Sequence, residues 1–322
     1  MNLSAIEKFD NLPRISLSNL NTPIELLSLS EVSPHDRLYI KRDDFIGSLV
    51  WGNKLRKLEY SIADALAMGA DTIITCGAVQ SNHARITAQV CKRLGLQCIL
   101  VQNGEKPKVP SGNHKINLLL NTRIVYVASP QQRAAKMLEV FDEVKSGGGR
   151  PFIIPLGASN AAGCPGFVNA MRELKQQQQE LGIEFDYIFH ATSSGGTQAG
   201  MEVGKRLFGL NKLQIIGISV DNSVEQITDS VLQCTNPLLE KLGHPFRIEG
   251  NELNTDTNFI GEGYGIPTQE STLAMAAFLR QGVMLDKTYT AKAAAGLMHY
   301  LRDIPRGKNI LFWHTGGLLA EL

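Results

Sequence analysis

Lys54 stands in the stretch WGNKLRKLE, residues 51–59, with apolar residues following at Leu55, Leu58, Ile62, Ala65 and Leu66. That is helical spacing, and it predicts a helix whose first turn carries Lys54 beside the buried face. An ammonium group there is short of water and meets the positive end of the helix dipole. Both effects favour the neutral amine, which is a nucleophile and a base.

Further loops carry residue types suited to chemistry. Residues 192–200, TSSGGTQAG, follow the apolar run FDYIFHA. Glycines let backbone N–H groups approach a ligand, hydroxyls add donors, and the helix that should begin here favours an anion. Ser193, Ser194, Gly195, Gly196 and Thr197 therefore form a candidate phosphate cradle, with a tight turn of packing glycines as the alternative. In residues 77–85, GAVQSNHAR, Ser81 and Asn82 sit at an expected helix start. Their side chains and free N–H groups suit a carboxylate, or they cap the helix and nothing more. His83 beside them is, by itself, more often a structural histidine than a catalyst. Tyr264 lies between glycines in GEGYGIP, residues 261–267, where a phenol can donate, accept or transfer a proton, or simply pack in a turn. Thr315 in WHTGG, residues 313–317, can aim a hydroxyl at the end of the last strand or serve a turn.

A dinucleotide site is a rival for the glycine loop, because Asp221 ends the next apolar run where a ribose-binding acid belongs. The glycine spacing does not make GxGxxG, which disfavours it. The histidines are scattered, with no HExxH and no Cys/His pairing at ligand spacing, so no metal is expected. No GxSxG elbow offers a hydrolase nucleophile.

These loops need elements to hold them. Short β-branched runs at 72–76, 97–101, 124–128, 151–155, 187–191, 214–220 and 309–313 alternate with helical patterns at 82–94, 130–145, 163–181, 196–208, 267–281 and 290–302. Such alternation implies an α/β fold of mainly parallel sheets with helices on both faces, and ligands at the carboxyl ends of the strands. The KQQQQEL patch, with Gln176 to Gln179, reads as the wet face of a helix.

The chain has 322 residues, 43% of them hydrophobic and 20% charged, enough for two domains with real cores. A net charge of +1 provides no field for nucleic acid or an anionic membrane. No apolar run reaches the length of a membrane span. Five cysteines without a CxxC pair, and early charges in MNLSAIEKFDNL, lead to the expectation of a reducing, cytoplasmic setting.

A phosphate cradle, a carboxylate clamp, a lone tyrosine and a desolvated lysine share one use: the lysine forms a Schiff base with pyridoxal 5'-phosphate and the cradle holds its phosphate. The motifs KRDD-x8-GNKLRKLE, QSNHAR, SSGGTQAG, GEGYGIP, YTAKA and HTGG, in this order from Lys41 to Gly317, resemble the D-cysteine desulfhydrase and 1-aminocyclopropane-1-carboxylate (ACC) deaminase family. That resemblance implies the tryptophan-synthase-β-like fold of two open, twisted sheets. It implies a large cofactor-binding domain of residues 1–52 and 163–322, a small substrate-closing domain of residues 53–162, and a homodimer.

The same resemblance implies roles residue by residue. Lys54 carries the cofactor and moves the Cα proton. Ser81 and Asn82 clamp the substrate carboxylate with His83 adjacent, and Asn82 also serves the cofactor's phenolic oxygen. Residues 193–197 hold the phosphate, Thr315 bonds the pyridine nitrogen, and Tyr264 and Tyr289 transfer protons or position substrate. Deaminases of the family carry Glu after the second tyrosine; Thr290 stands there in this chain and lines the substrate in a desulfhydrase-like branch. Two positions depart from that branch. Trp51 replaces the first glycine of GGNK, and Leu318 after HTGG is deaminase-like. The expected reaction is α,β-elimination from a small amino acid, D-cysteine first, giving pyruvate, ammonia and sulfide. ACC deamination, or elimination from cysteate or diaminopropionate, is the enzymatic alternative. A catalytically silent cofactor- or nucleotide-binding module is the non-enzymatic one.

Overall fold

The computed structural model describes residues 4–19, 21–29, 35, 37–47 and 52–318. Its strands are β1 (Ile24–Leu26), β2 (Leu38–Arg42), β3 (Thr72–Ala78), β4 (Gln97–Asn103), β5 (Arg123–Val127), β6 (Pro151–Ile153), β7 (Tyr187–Thr192), β8 (Gln214–Ser219), β9 (Asn254–Asp256) and β10 (Ile310–His314). Its helices are α1 (Ala5–Asp10), α2 (Lys54–Ala67), α3 (Asn82–Leu94), α4 (Gly112–Leu119), α5 (Arg133–Ser146), α6 (Pro165–Leu181), α7 (Gly196–Leu207), α8 (Val224–Leu242), α9 (Gln269–Leu279) and α10 (Thr290–Tyr300).

The strands form two sheets. One has the order β1-β2-β10-β7-β8-β9, parallel except where β1 meets β2, and the other has the order β5-β4-β3-β6, parallel throughout. Strands buried on both faces read as unbroken apolar runs, and β10 (ILFWH) is buried at every position. Around the larger sheet, α6, α7 and α8 pack one core with Phe167, Met201, Leu238 and Trp313, while α9 and α10 pack the other with Phe278, Leu297 and Phe312. The smaller sheet is covered by α2 and α3 on one side and by α5 on the other.

Helix α2 is fixed to the larger sheet by a buried ionic cluster. The Arg56 guanidinium donates to Asp43 at 2.9 and 2.7 Å and to Glu173 at 2.8 Å, and Lys41 Nζ donates to the same Glu173 at 2.6 Å. Trp313 Nε1 donates to Asp43 at 2.8 Å. Burial alone would raise the Glu173 pKa, but Arg56 and Lys41 outweigh it and draw the carboxyl down to about 2. A carboxyl depressed in the fold stabilises above its ordinary value near 4.5 and loses that contribution as pH falls towards 2. Glu173→Gln would leave two cations facing Asp43 alone. We expect a loss of about 3–5 kcal/mol in urea unfolding, and an unchanged midpoint would refute the assigned role of the cluster.

The structure adds α1, α4, β1, β2 and β9 to the elements expected from sequence, and two further features differ. Helix α8 was not foreseen, because Pro237 interrupts its apolar period; its start is nevertheless marked by a capping box of Ser223 and Gln226. The glutamine patch is only half wet. Gln177 Oε1 accepts from Lys41 Nζ at 2.7 Å, and Gln178 Oε1 accepts from the Phe185 N–H at 2.7 Å, because the face of α6 turns inward there.

Candidate active site

The carboxyl ends of β3, β7, β8 and β10 open on a cavity of about 420 Å³ that is also lined by the first turn of α2. That size suits a small ligand. Its walls include Lys54, Ser81, Asn82, His83, Ser193, Ser194, Gly195, Thr197, Tyr264, Tyr289 and Thr315.

Lys54 is the first residue of α2, placed there by a close backbone approach. Gly52 has φ +150° and pairs with Gly316, and a Cβ on Gly52 would lie 2.7 Å from the Thr315 carbonyl oxygen. The Asn53 N–H donates to that carbonyl at 3.1 Å. Only glycine at position 52 allows this contact, which sets Lys54 beside Thr315. Lys54 Nζ meets no acceptor among the described residues. Desolvation, then the neighbouring Lys57 charge, hold its pKa well below the usual lysine value. Lys57 is fully buried, and its Nζ donates to the Gly157 carbonyl at 3.0 Å and to Ser159 Oγ at 3.2 Å.

The glycine loop enters α7 through Gly195 in the left-handed conformation, φ +71°. The N–H groups of Gly195 and Thr197 meet no protein acceptor among the described residues, so they and the helix dipole offer an anion site. Thr197 Oγ1 accepts from Asn53 Nδ2 at 3.1 Å, which leaves its own proton available. Two expected cradle members differ. The Ser193 hydroxyl is spent on Asp221, at 3.0 Å, and Asn222 Nδ2 holds the Ser193 carbonyl at 3.1 Å. Gly196 does not line the cavity; its N–H donates to the Ser194 carbonyl at 2.9 Å, and a Cβ there would lie 2.5 Å from Ser159 Oγ. Gly196 thus acts through close packing rather than contact.

Ser81 is the N-cap of α3, its Oγ accepting from the Ala84 N–H at 3.2 Å, yet it lines the cavity with its hydroxyl proton uncommitted. Capping therefore does not consume the donor that a carboxylate contact would use. His83 is buried. Thr75 gives its only hydroxyl proton to the Ile154 carbonyl at 2.7 Å, so His83 Nε2, 2.8 Å away, must carry the hydrogen between them. Burial, then Lys54 and Lys57, hold its pKa well below 6.5, so the ring is a neutral wall group.

Tyr264 and Tyr289 share a hydrogen bond of 2.8 Å. Tyr264 is 39% exposed as a residue, but desolvation still pushes its pKa up to about 12. Tyr289 is raised well above the ordinary phenol value, by desolvation first. Both stay protonated near neutrality, and one proton of the pair is free for a ligand. Thr290 does not reach the cavity, contrary to the expectation of a substrate contact. It is fully buried, and its hydroxyl donates to Asp286 Oδ1 at 2.7 Å. Asp286 also accepts the N–H groups of Thr288, Tyr289 and Thr290 at 3.1, 2.9 and 2.9 Å. It serves the free donors at the start of α10 and thereby sets Tyr289.

Asn222 and Arg133 line the cavity without having been assigned there from sequence, and so does Asp221, which sequence offered only to the rival dinucleotide reading. Asp221 and Asn222 had a legible signal, since they directly follow an apolar run in a parallel sheet. Arg133 had none. Trp51, the departure nearest Lys54, lies outside the described residues.

A free, poorly basic amine, unpaired N–H groups at a helix start and a hydroxyl at the end of β10 fit pyridoxal phosphate. The model of the family described as pyridoxal-phosphate dependent enzyme matches residues 15–316. The chain belongs to that family. It is a pyridoxal-phosphate-dependent enzyme with two mainly parallel sheets flanked by helices. A putative 1-aminocyclopropane-1-carboxylate deaminase of Pyrococcus abyssi is 35% identical over 308 residues, covering 95% of this chain and 92% of that protein. A D-cysteine desulfhydrase of Serratia proteamaculans is 34% identical over 332 residues, covering 99% and 98%. The crystal structure of an ACC deaminase homologue superposes with a TM-score of 0.90 at 33% identity, covering 100% and 97%. A tomato threonine deaminase, at a TM-score of 0.66 and 19% identity, shares the fold. Among the described residues no helix is long and apolar enough to cross a membrane, and no group of metal-ligating side chains is found.

Proposed function

We propose that this pyridoxal-phosphate-dependent enzyme eliminates the β-substituent of a small amino acid, D-cysteine first, to give pyruvate, ammonia and sulfide. The observation that carries the reading is the unpaired Lys54 amine, weakened as a base by burial and by Lys57, inside a cavity with anion-binding groups on two sides. When bound, the cofactor supplies an electron sink for charge developing at Cα.

The chain's own residues do the rest. Lys54 holds the cofactor and receives the Cα proton. Ser81 and Asn82 bind the substrate carboxylate, and the free N–H groups of Gly195 and Thr197 take the phosphate. Thr315, whose hydroxyl meets no partner among the described residues, bonds the pyridine nitrogen and leaves it without a proton. That suits elimination, in which the leaving group removes charge promptly. The Tyr264–Tyr289 pair donates a hydrogen bond to the departing sulfur. The Cα–H and Cβ–S bonds break, the sulfur keeps its electron pair, and the released 2-aminoacrylate hydrolyses to pyruvate and ammonia.

Thr290 stands where deaminases of the family carry Glu, which favours elimination over ring-opening deamination; its own side chain is spent on Asp286. Leu318 and the deaminase relatives keep ACC as the second substrate to assay. Residues 53–162 would close over the substrate against residues 1–52 and 163–322. A cytoplasmic homodimer is the assembly to check by light scattering and fractionation. The deciding assay presents D-cysteine, L-cysteine, cysteate, diaminopropionate and ACC separately. Pyruvate from D-cysteine supports the proposal, and 2-oxobutyrate from ACC as the main product would replace it.

A further inference from the structure

Asn113, in the first turn of α4, is fully buried and does not line the cavity. Its side chain nevertheless decides how a cavity residue is turned. Asn113 Oδ1 accepts from Arg85 Nε at 3.0 Å, and its Nδ2 donates to Asn82 Oδ1 at 2.8 Å and to the Gln80 carbonyl at 2.8 Å. Its backbone N–H donates to Gln80 Oε1 at 2.9 Å. Arginine can only donate, so it fixes which end of the Asn113 amide is oxygen. The Asn113 amino end must then face Asn82, and Asn82 must meet it with Oδ1. Its Nδ2 is left for the cavity, where it meets no acceptor among the described residues.

Arg85 makes the arrangement costly. It is fully buried, and among the described residues it bonds only amide oxygens, Asn113 Oδ1 and Gln89 Oε1, with no carboxylate in contact. Burial lowers its pKa to about 9. An aspartate at 113 would fill the same volume and supply the missing counter-charge. It could donate neither to Asn82 Oδ1 nor to the Gln80 carbonyl. The asparagine forgoes the counter-charge and keeps both donor bonds, one of which sets the orientation of Asn82.

We propose that Asn113, held by Arg85, is a positioning residue that locks Asn82 as a hydrogen-bond donor to an anionic oxygen of the cavity's ligands. The proposal rests on the reading of that cavity as a cofactor and amino-acid site. The oxygen belongs either to the amino acid carboxylate or to the cofactor, and the two sources separate experimentally.

Asn113→Asp is the test. The new carboxylate pairs with Arg85 and compels Asn82 to donate inwards, which turns an oxygen towards the cavity. The variant should remain folded, the Arg85 pairing offsetting the donor bonds lost to Asn82 and to the Gln80 carbonyl. The dissociation constant of D-alanine, which has no β-leaving group, is read from the change in visible absorbance, and that of pyridoxal phosphate by titrating the stripped protein. At least one should rise by about tenfold or more. A rise for D-alanine assigns the carboxylate, and a rise for pyridoxal phosphate assigns the cofactor oxygen. Both constants within about twofold of wild type in folded Asn113→Asp would overturn the proposal. Asn113→Ala removes the same bonds without imposing the wrong orientation, so its affinities should fall less than those of the aspartate variant. A greater loss in the alanine variant would reduce Asn113 to a packing residue. Should the aspartate variant not fold, unchanged affinities in Asn113→Ala overturn the proposal by themselves. If wild type takes up pyridoxal phosphate but no amino acid, the functional reading fails, and the cofactor titration still tests Asn113.

Discussion

Lys54→Ala should abolish the covalent, borohydride-reducible link to pyridoxal phosphate, together with the visible absorbance that accompanies it and all turnover. Lys54 is the amine that lines the cavity, meets no acceptor among the described residues and has its pKa held well below the usual value by desolvation and Lys57. The nearby lysines are committed elsewhere. Lys57 serves Gly157 and Ser159, and Lys41 serves Glu173, Gln177 and the Thr22 carbonyl. The effect should approach the full catalytic acceleration, many orders of magnitude, since no neighbouring base replaces the lost amine. The measurement is peptide mapping after reduction with labelled borohydride. Label on Lys57 or Lys41 in the wild type would refute the assignment.

Gly196→Asp should weaken pyridoxal phosphate binding by about 100-fold or more, through added negative charge at the helix start and through crowding. The structure changes the balance between these causes. Any Cβ at Gly196 would lie 2.5 Å from Ser159 Oγ and 2.8 Å from Ser159 Cα, so even Gly196→Ala must displace the loop. Ser159 in turn bonds Ser194 at 2.8 Å and Lys57 at 3.2 Å. Pushing it away therefore disturbs both the cradle and the cation that lowers the Lys54 pKa. Equilibrium titration of cofactor-free variants reads the effect. An unchanged dissociation constant in folded Gly196→Asp would remove the loop as the phosphate site.

Much of this site was legible because parallel sheets place function at strand ends, and apolar runs mark where strands end. The helix predicted over 82–94 coincides with α3, and Lys54 begins α2 as its spacing required. The strand ends then pointed to Ser81 and Thr315, and the GEGYGIP motif alone pointed to Tyr264. What sequence left hidden was which donors are already spent. Ser193 and Thr290 carry hydroxyls of the right type in the right loops, but Asp221 and Asp286 claim them, and that choice is made by tertiary contact. Asn113 lay hidden for the same reason, since it acts through Asn82 from 31 residues away. The short strands β1 and β9 have too few residues to show a pattern, and β1 runs antiparallel to its neighbour.

The most direct test of elimination is the yield of sulfide and pyruvate from D-cysteine with the holoenzyme, measured together over time. The expected result is equal release of both products, supported by Lys54 and absent in Lys54→Ala. Cofactor-loaded wild-type protein that releases neither product from D-cysteine would contradict it.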